Sequence, residues 1–83
     1  MSFYRDTPEY QALHPSTKDL LDQFEYEHLP EPLRSISKLF CDLALDLVLR
    51  LSKTRYGGEL STGLRKLLEA KDCAVRAARG VDL

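Results

Sequence analysis

Residues 24–32 carry the side chains best suited to hold a flat ligand. Tyr26 and His28 lie two positions apart, and Pro30 follows immediately before a long apolar stretch. Proline restricts the backbone, so this segment would present its aromatic groups at low entropic cost, as a surface on which a purine ring can stack. The other interpretation is structural, with Tyr26 merely covering the core. The pattern leaves both interpretations open for Tyr26 and His28, whereas Phe24 is expected to fasten the next helix to the protein.

Basic residues that could meet phosphate groups follow this segment. Arg34 and Lys38 are spaced one helical turn apart, close behind the aromatic residues. Arg65, Arg76 and Arg79 occupy a later helical stretch. Each is a candidate phosphate contact, but each would equally suit a solvated helix face or an ordinary exposed ion pair.

Catalysis and metal binding find little support. No nucleophile is placed beside a base, and Gly57-Gly58 lacks the flanking pattern of a phosphate loop, so it predicts a turn. Four side chains of the types that bind zinc are present: His14, His28, Cys41 and Cys73. No two of them have ligand spacing, and both cysteines lie in apolar helical patterns. We therefore expect two reduced core thiols, no metal, no cofactor and no enzymatic activity.

A long helix must position the first pair of basic residues. Large apolar residues recur at steps of three and four from Leu33: Ile36, Phe40, Leu43, Leu47 and Leu51. This spacing predicts a helix over about 32–54. Further apolar residues at Leu39, Leu45, Val48 and Leu49 widen the apolar surface beyond one stripe. A helix this apolar needs more than one partner.

A second helix is predicted over about 59–79, opening at Glu59 or Ser61 and stopping at Gly80. Its expected buried face combines leucines with small residues: Leu60, Leu64, Leu67, Ala70, Ala74 and Ala77 or Ala78. Small residues allow close packing against the first helix. The predicted fold is all-α, an antiparallel helical hairpin over 31–83.

The N-terminal segment, residues 1–30, is an acidic appendage to this hairpin within one domain. Asp6 or Thr7 is expected to cap a turn beginning at Pro8, and Ser16 to cap a short helix reaching about Phe24. Residues 1–32 carry seven acidic and two basic residues, whereas 33–83 carry ten basic and six acidic residues. An excess of four positive charges suits a small anion better than duplex nucleic acid.

Length and composition point to self-assembly. A chain of 83 residues buries only about 60% of its unfolded surface, so its stability needs a supplement. Disulfides and metal are not expected, which leaves oligomerisation. No apolar run approaches the roughly 20 residues that span a bilayer, so no membrane association is expected.

Three stretches of the sequence together resemble the phage anti-CBASS cyclic-nucleotide sponges, whose hairpin domain is shared with Thoeris anti-defence sponges. They are Phe24–Pro30, Asp42–Val48 and Leu64–Ala78. The resemblance covers roughly residues 24–79. It implies a compact homohexamer in the cytoplasm of the infected bacterial host, which sequesters cyclic dinucleotides such as cyclic GMP-AMP, and cyclic trinucleotides at separate sites.

The resemblance also implies roles for single residues. Tyr26 resembles the base-stacking tyrosine of the family, and His28 with Pro30 resembles its histidine-proline motif, although one residue is inserted here. The basic residue on the family's first long helix aligns near Cys41, so Lys38 or Arg34 is expected to replace it. Arg76 and Arg79 resemble positions near the trinucleotide pocket. The alternative function is a helical protein-interaction or assembly module without a nucleotide ligand.

Overall fold

The computed structural model describes residues 8–81, which form four helices joined by short turns. The helices are α1 (Pro8–Gln11), α2 (Pro15–Asp22), α3 (Leu33–Leu51) and α4 (Gly57–Ala78). No strand occurs within this range. The predicted all-α class is therefore confirmed, while the predicted caps at Asp6 and Thr7 lie outside the described residues.

Helix α2 begins one residue before the predicted cap. His14 is the N-cap, and its Nδ1 accepts a hydrogen bond from the Ser16 N–H at 3.2 Å. Pro15 occupies the first helical position, where its missing N–H costs nothing. The helix ends at Asp22, two residues short of the predicted end, and Gln23 is its C-cap.

The first turn of helix α3 is capped by Glu31, which precedes the N-cap residue Pro32, since Pro32 makes no side-chain cap hydrogen bond. The Glu31 carboxylate accepts hydrogen bonds from the Ser35 N–H at 2.8 Å and from the Ser35 hydroxyl at 2.5 Å. One of the unpaired donors at the start of the helix is thereby satisfied. The Glu31–Pro32 peptide bond is cis.

The connection between α3 and α4 covers residues 52–56 rather than the predicted 55–58, because α3 ends at Leu51 and the two glycines predicted to form the turn are helical. A turn follows α3, in which the Thr54 N–H donates to the Leu51 carbonyl at 3.0 Å and the Tyr56 N–H donates to Thr54 Oγ1 at 3.1 Å. Helix α4 then begins at Gly57, and no glycine in residues 8–81 has positive φ. It ends beside Gly80, as predicted.

A single core joins the N-terminal segment to both long helices. Helices α3 and α4 pack against each other, and α2 packs against both. The buried cluster comprises Tyr10, Leu20, Leu21, Phe24, Cys41, Ala44, Val48 and Leu64. Phe24 is fully buried, which confirms its predicted fastening role.

The buried face of α3 differs from the predicted leucine face. The residues that are buried are small or medium-sized: Ser37, Cys41, Ala44 and Val48. Leu43 and Leu51, predicted on the core face, are exposed, as are Leu39 and Leu49. The spacing rule found a genuine apolar face, but α2 and α4 cover the neighbouring face of the helix, where smaller side chains permit close approach.

The buried face of α4 agrees largely with the predicted one. Leu64 and Ala78 are buried as predicted, whereas Ala70 is exposed and Lys71, which was not predicted there, is buried. Cys73, predicted as a core thiol, is exposed, and it accepts a hydrogen bond from Arg76 Nη2 at 3.3 Å. Only Cys41 lies in the core, where burial raises the pKa of its thiol to about 11 and keeps it neutral.

Candidate functional site

Tyr26 lies on the turn between α2 and α3. Its carbonyl accepts a hydrogen bond from the Leu29 N–H at 3.0 Å, which closes the turn. Its ring is half-buried and packs against the core cluster. Tyr26 therefore covers part of the core, as the structural interpretation expects, and also keeps part of its ring open to solvent.

Lys38 is the predicted basic residue whose charge acts on Tyr26. Burial raises the pKa of Tyr26 above its ordinary value, and the ammonium of Lys38 opposes that rise. Lys38 does not lie over the Tyr26 ring; among the described residues, the cations that lie over a ring are Lys18, over Tyr10, and Arg55, over Tyr56. A stacking ring and a separate cation on one surface are the groups that a base and its phosphate require.

Lys38 already has a carboxylate partner. Its Nζ donates to Asp42 Oδ2 at 2.7 Å, and about half of each side chain is exposed. This hydrogen bond raises the pKa of Lys38. Sequence analysis gave Asp42 no role, although its position four residues after Lys38 is the standard spacing of a helical ion pair.

Arg34 is held loosely near the start of α3. Its Nε lies 3.9 Å from Glu31 Oε1, at the limit of an ion pair, and both side chains are about half exposed. Glu31 is engaged mainly by Ser35, whose hydrogen bonds lower the pKa of the carboxyl. The Arg34 guanidinium can therefore turn to another anion at little cost.

His28 and Pro30 are both exposed on the turn that carries Tyr26. The Pro30 carbonyl accepts a hydrogen bond from the Arg34 N–H at 2.9 Å, which joins the turn to the first turn of α3. The predicted ligand-binding residues from Tyr26 to Lys38, which we call the aromatic-basic segment, thus occupy one turn and the helix that follows it directly. Its roles in ligand binding stay predictions.

The arginines of α4 are exposed and spread along the helix. Arg65 lies about 9 Å before Lys71 along the helix axis, and Arg76 about 7.5 Å after it, since each residue advances a helix by about 1.5 Å. Arg79 is the C-cap, one turn further on. Arg65 and Arg79 are therefore about 20 Å apart along α4, so one compact ligand cannot touch both in a single chain.

Lys71 is a residue whose role sequence analysis missed. It is buried on α4, and its Nζ donates to the Gln23 carbonyl at 2.7 Å. A signal was present, because Lys71 interrupts the spacing of Leu64, Leu67 and Ala78 on one helical face. Its partner, 48 residues away, has no sequence signal.

An apolar groove runs between α3 and α4, with a volume of about 530 Å³. We call it the leucine groove; it is lined mainly by Leu47, Leu51, Tyr56, Leu60, Gly63, Leu64, Leu67 and Ala70. A second cavity of about 760 Å³ lies between residues 12–17 and 48–60. None of the predicted ligand-binding residues lines either cavity. The aromatic-basic segment therefore forms an open surface in one chain.

Comparison of the chain with protein-family models, with curated proteins and with solved structures finds no match. Within residues 8–81, no three histidine, cysteine or carboxylate side chains cluster as metal ligands would. In the same range, none of the helices combines the length and apolar character that a bilayer span requires. The function must be inferred from the chemistry of the chain's own surfaces.

Proposed function

We propose that this chain is a viral immune-evasion protein that binds and sequesters cyclic dinucleotides, such as cyclic GMP-AMP, and cyclic trinucleotides. In this proposal the chain is an antiparallel helical hairpin that assembles as a homohexamer in the cytoplasm of the infected bacterium. Sequestration of the messenger would block antiphage signalling of the CBASS type. The observation that carries the proposal is the half-buried Tyr26 ring on the turn that leads into α3, whose first turns carry the exposed cations Arg34 and Lys38.

The ligand chemistry fits a pair of such sites. A cyclic dinucleotide has two bases and two phosphates related by an approximate twofold axis. Two copies of the chain related by a twofold axis would offer two Tyr26 rings and two Lys38 ammonium groups. Each base would stack on one ring, and each phosphate would accept charge-assisted hydrogen bonds from one cluster of cations.

Phosphate binding requires Lys38 to share or leave Asp42. That exchange costs little, because an ion pair between two exposed side chains is screened by water and contributes little to stability. Arg34 is similarly available, since its nearest carboxylate oxygen is 3.9 Å away. Two cations on successive turns of α3 can therefore face the phosphates behind Tyr26.

The leucine groove supports the assembly part of the proposal. Leu43 and Leu51 of α3 are exposed in the single chain, although they belong to the apolar pattern that predicted a buried face. Burying one leucine side chain contributes about 1.5–3 kcal/mol, so an uncovered row of them favours association. Leu51 lines the groove together with Leu47, so a second copy of the chain placed there would cover these two leucines.

The required affinity is within reach of these contacts. A sponge must compete with a receptor, and a nanomolar dissociation constant corresponds to about −12 kcal/mol. Two stacked bases contribute about 1–3 kcal/mol each, and charge-assisted hydrogen bonds about 1.5–3 kcal/mol each. A closed pocket between copies would allow several of these contacts at once.

Calorimetric titration with cyclic GMP-AMP tests the role of Tyr26. Tyr26→Ala should weaken binding by at least about thirtyfold, because two stacking contacts are lost per ligand. The matched control, Tyr26→Phe, keeps the ring and should bind within a few-fold of the wild type. Equal affinity of Tyr26→Ala and the wild type, with the same oligomer mass, would refute the assigned role.

A helical protein-interaction module is the second candidate, and the exposed leucine groove is the observation that favours it. In that case another protein, rather than a copy of this chain, covers the groove. A thermal-shift screen separates the two functions, because a ligand at about a hundred times its dissociation constant adds about 2.7 kcal/mol of stability. No shift with any cyclic di- or trinucleotide would favour the interaction module.

A further inference from the structure

Lys71 is buried, with 9% of its surface exposed, and it is the one buried charged side chain among the residues whose burial the structure describes, residue 8 and residues 10–81. It lies on α4 between the buried residues Leu64 and Ala78. Its Nζ donates a hydrogen bond to the backbone carbonyl of Gln23, 2.7 Å away and 48 residues earlier in the chain. The contact fastens α4 to the N-terminal segment.

The acceptor of this hydrogen bond is the C-terminal end of α2. Gln23 is the C-cap, and the carbonyls at a helix C-terminus lack partners within the helix and carry its partial negative charge. Helix α2 has no basic residue in its own last turn. Lys71 supplies the missing positive charge from another helix.

An ammonium group is a costly choice for packing alone. Removing it from water carries a penalty that one hydrogen bond offsets only in part, and an apolar side chain of similar length would fill the same space without that penalty. What the ammonium adds is direction, because its hydrogen bond specifies where the Gln23 carbonyl must point.

We call the hydrogen bond between Lys71 and the Gln23 carbonyl the clamp. The residues that follow Gln23 in the chain lead directly to Tyr26. Phe24, the next residue, is fully buried, so two successive residues are fixed. Tyr26 follows two residues later, within about 7 Å of extended chain. Phe24 belongs to the same buried cluster as Cys41 of α3, which is three residues from Lys38.

We propose that Lys71 is a positioning residue, whose hydrogen bond to the Gln23 carbonyl fixes the turn that carries Tyr26. This inference rests on the proposed function and deepens it. In this proposal Tyr26 contacts the ligand, whereas Lys71 contacts no ligand and determines the position of the Tyr26 ring. The clamp itself needs no ligand, so it can be tested separately from nucleotide binding.

The test compares Lys71→Met with Lys71→Arg in the full chain. Methionine keeps an unbranched apolar side chain but cannot donate, whereas arginine keeps a charged donor. We expect amide hydrogen exchange at Phe24 and Glu25, whose N–H groups donate to the carbonyls of Leu21 and Asp22, to be at least about tenfold faster in Lys71→Met, with no change at Ala44. Affinity for cyclic GMP-AMP should fall about tenfold. Lys71→Arg should restore both measurements toward the wild-type values.

The outcomes separate the clamp from the proposed function. Wild-type exchange at Phe24 and Glu25 in Lys71→Met would overturn the clamp. Faster exchange with unchanged affinity would overturn the positioning role. If the wild type binds no cyclic nucleotide, the proposed function fails while the exchange comparison still decides the clamp. Should Lys71→Met not fold, Lys71→Leu, which likewise cannot donate the hydrogen bond, is compared with Lys71→Arg in the same way.

Discussion

The N-terminal segment and the α3–α4 pair use their apolar residues in opposite ways. Between residues 8 and 30, Tyr10, Leu20, Leu21 and Phe24 are all buried. Helix α3 is much richer in leucine, yet it buries mainly small residues and leaves Leu39 65% exposed. The segment with fewer apolar residues is thus the better covered of the two.

This difference shows that burial depends on available partners rather than on apolar content. The N-terminal segment packs against both α3 and α4 and buries its large apolar residues, whereas the leucine groove between α3 and α4 stays open in one chain. The exposed leucines of α3 are the part of the apolar pattern that a single chain leaves uncovered. Self-assembly would cover them.

Phe24→Ala should produce the largest loss of stability. Phe24 is fully buried, and truncation of a buried phenylalanine costs about 3–5 kcal/mol. Leu39→Ala is the comparison on the other side of the molecule, where a 65% exposed side chain should change folding stability by about 0.5 kcal/mol or less in dilute solution. Urea denaturation followed by circular dichroism measures both. Equal losses would contradict the contrast between the two regions.

Gly63→Gln should separate folding from assembly. A Cβ at Gly63 would meet no atom within 4 Å, so a glutamine there removes the roughly 1 kcal/mol penalty of a helical glycine and should stabilise the single chain. The same side chain would fill the leucine groove. If a second copy docks there, association should weaken at least about tenfold, since overpacking costs about 1–3 kcal/mol.

Gly58→Gln is the matched control for this experiment. Gly58 is also helical and also open around its Cβ, but it does not line the groove. Sedimentation velocity over a range of concentrations should show weakened association for Gly63→Gln alone. Equal self-association of both variants would place any interface between copies elsewhere.

Acidification should cause the smallest effect, a loosening of the start of α3. Hydrogen bonds from Ser35 lower the pKa of the Glu31 carboxyl. A lowered folded-state pKa means that the contribution is present above the unfolded pKa and is lost as the pH falls through the folded one. The Ser35 amide should therefore lose protection at acidic pH, as read by NMR titration. In Glu31→Gln this pH-dependent change should be absent, and an identical titration in both proteins would contradict the cap.

Much of the fold was predictable from local pattern. The step of three and four from Leu33 to Leu51 gave α3, and Gly80 marked the end of α4. The predicted starts of α2 and α4 were wrong, because His14 is the N-cap of α2 and because Gly57, a residue type that disfavours helices, is the first residue of α4. Spacing alone could not say which side of α3 would be covered, because that depends on where α2 lies.

The candidate site was predictable only in part. The aromatic and basic residues between positions 24 and 38 could be identified from the sequence, and in the fold the charge of Lys38 acts on Tyr26. The Asp42 partner of Lys38 could have been found from helical spacing. The bond between Lys71 and Gln23 could not, because it joins distant parts of the chain through a backbone carbonyl that any residue type would provide.

The molar mass of the purified chain in solution tests the central claim most directly. Light scattering coupled to size-exclusion chromatography, at micromolar concentration and without ligand, should give a multiple of the 9.5 kDa chain mass, with six copies expected. A well-folded species of 9.5 kDa that takes up no cyclic nucleotide would contradict the account, since neither a covered leucine groove nor a closed pocket could then form.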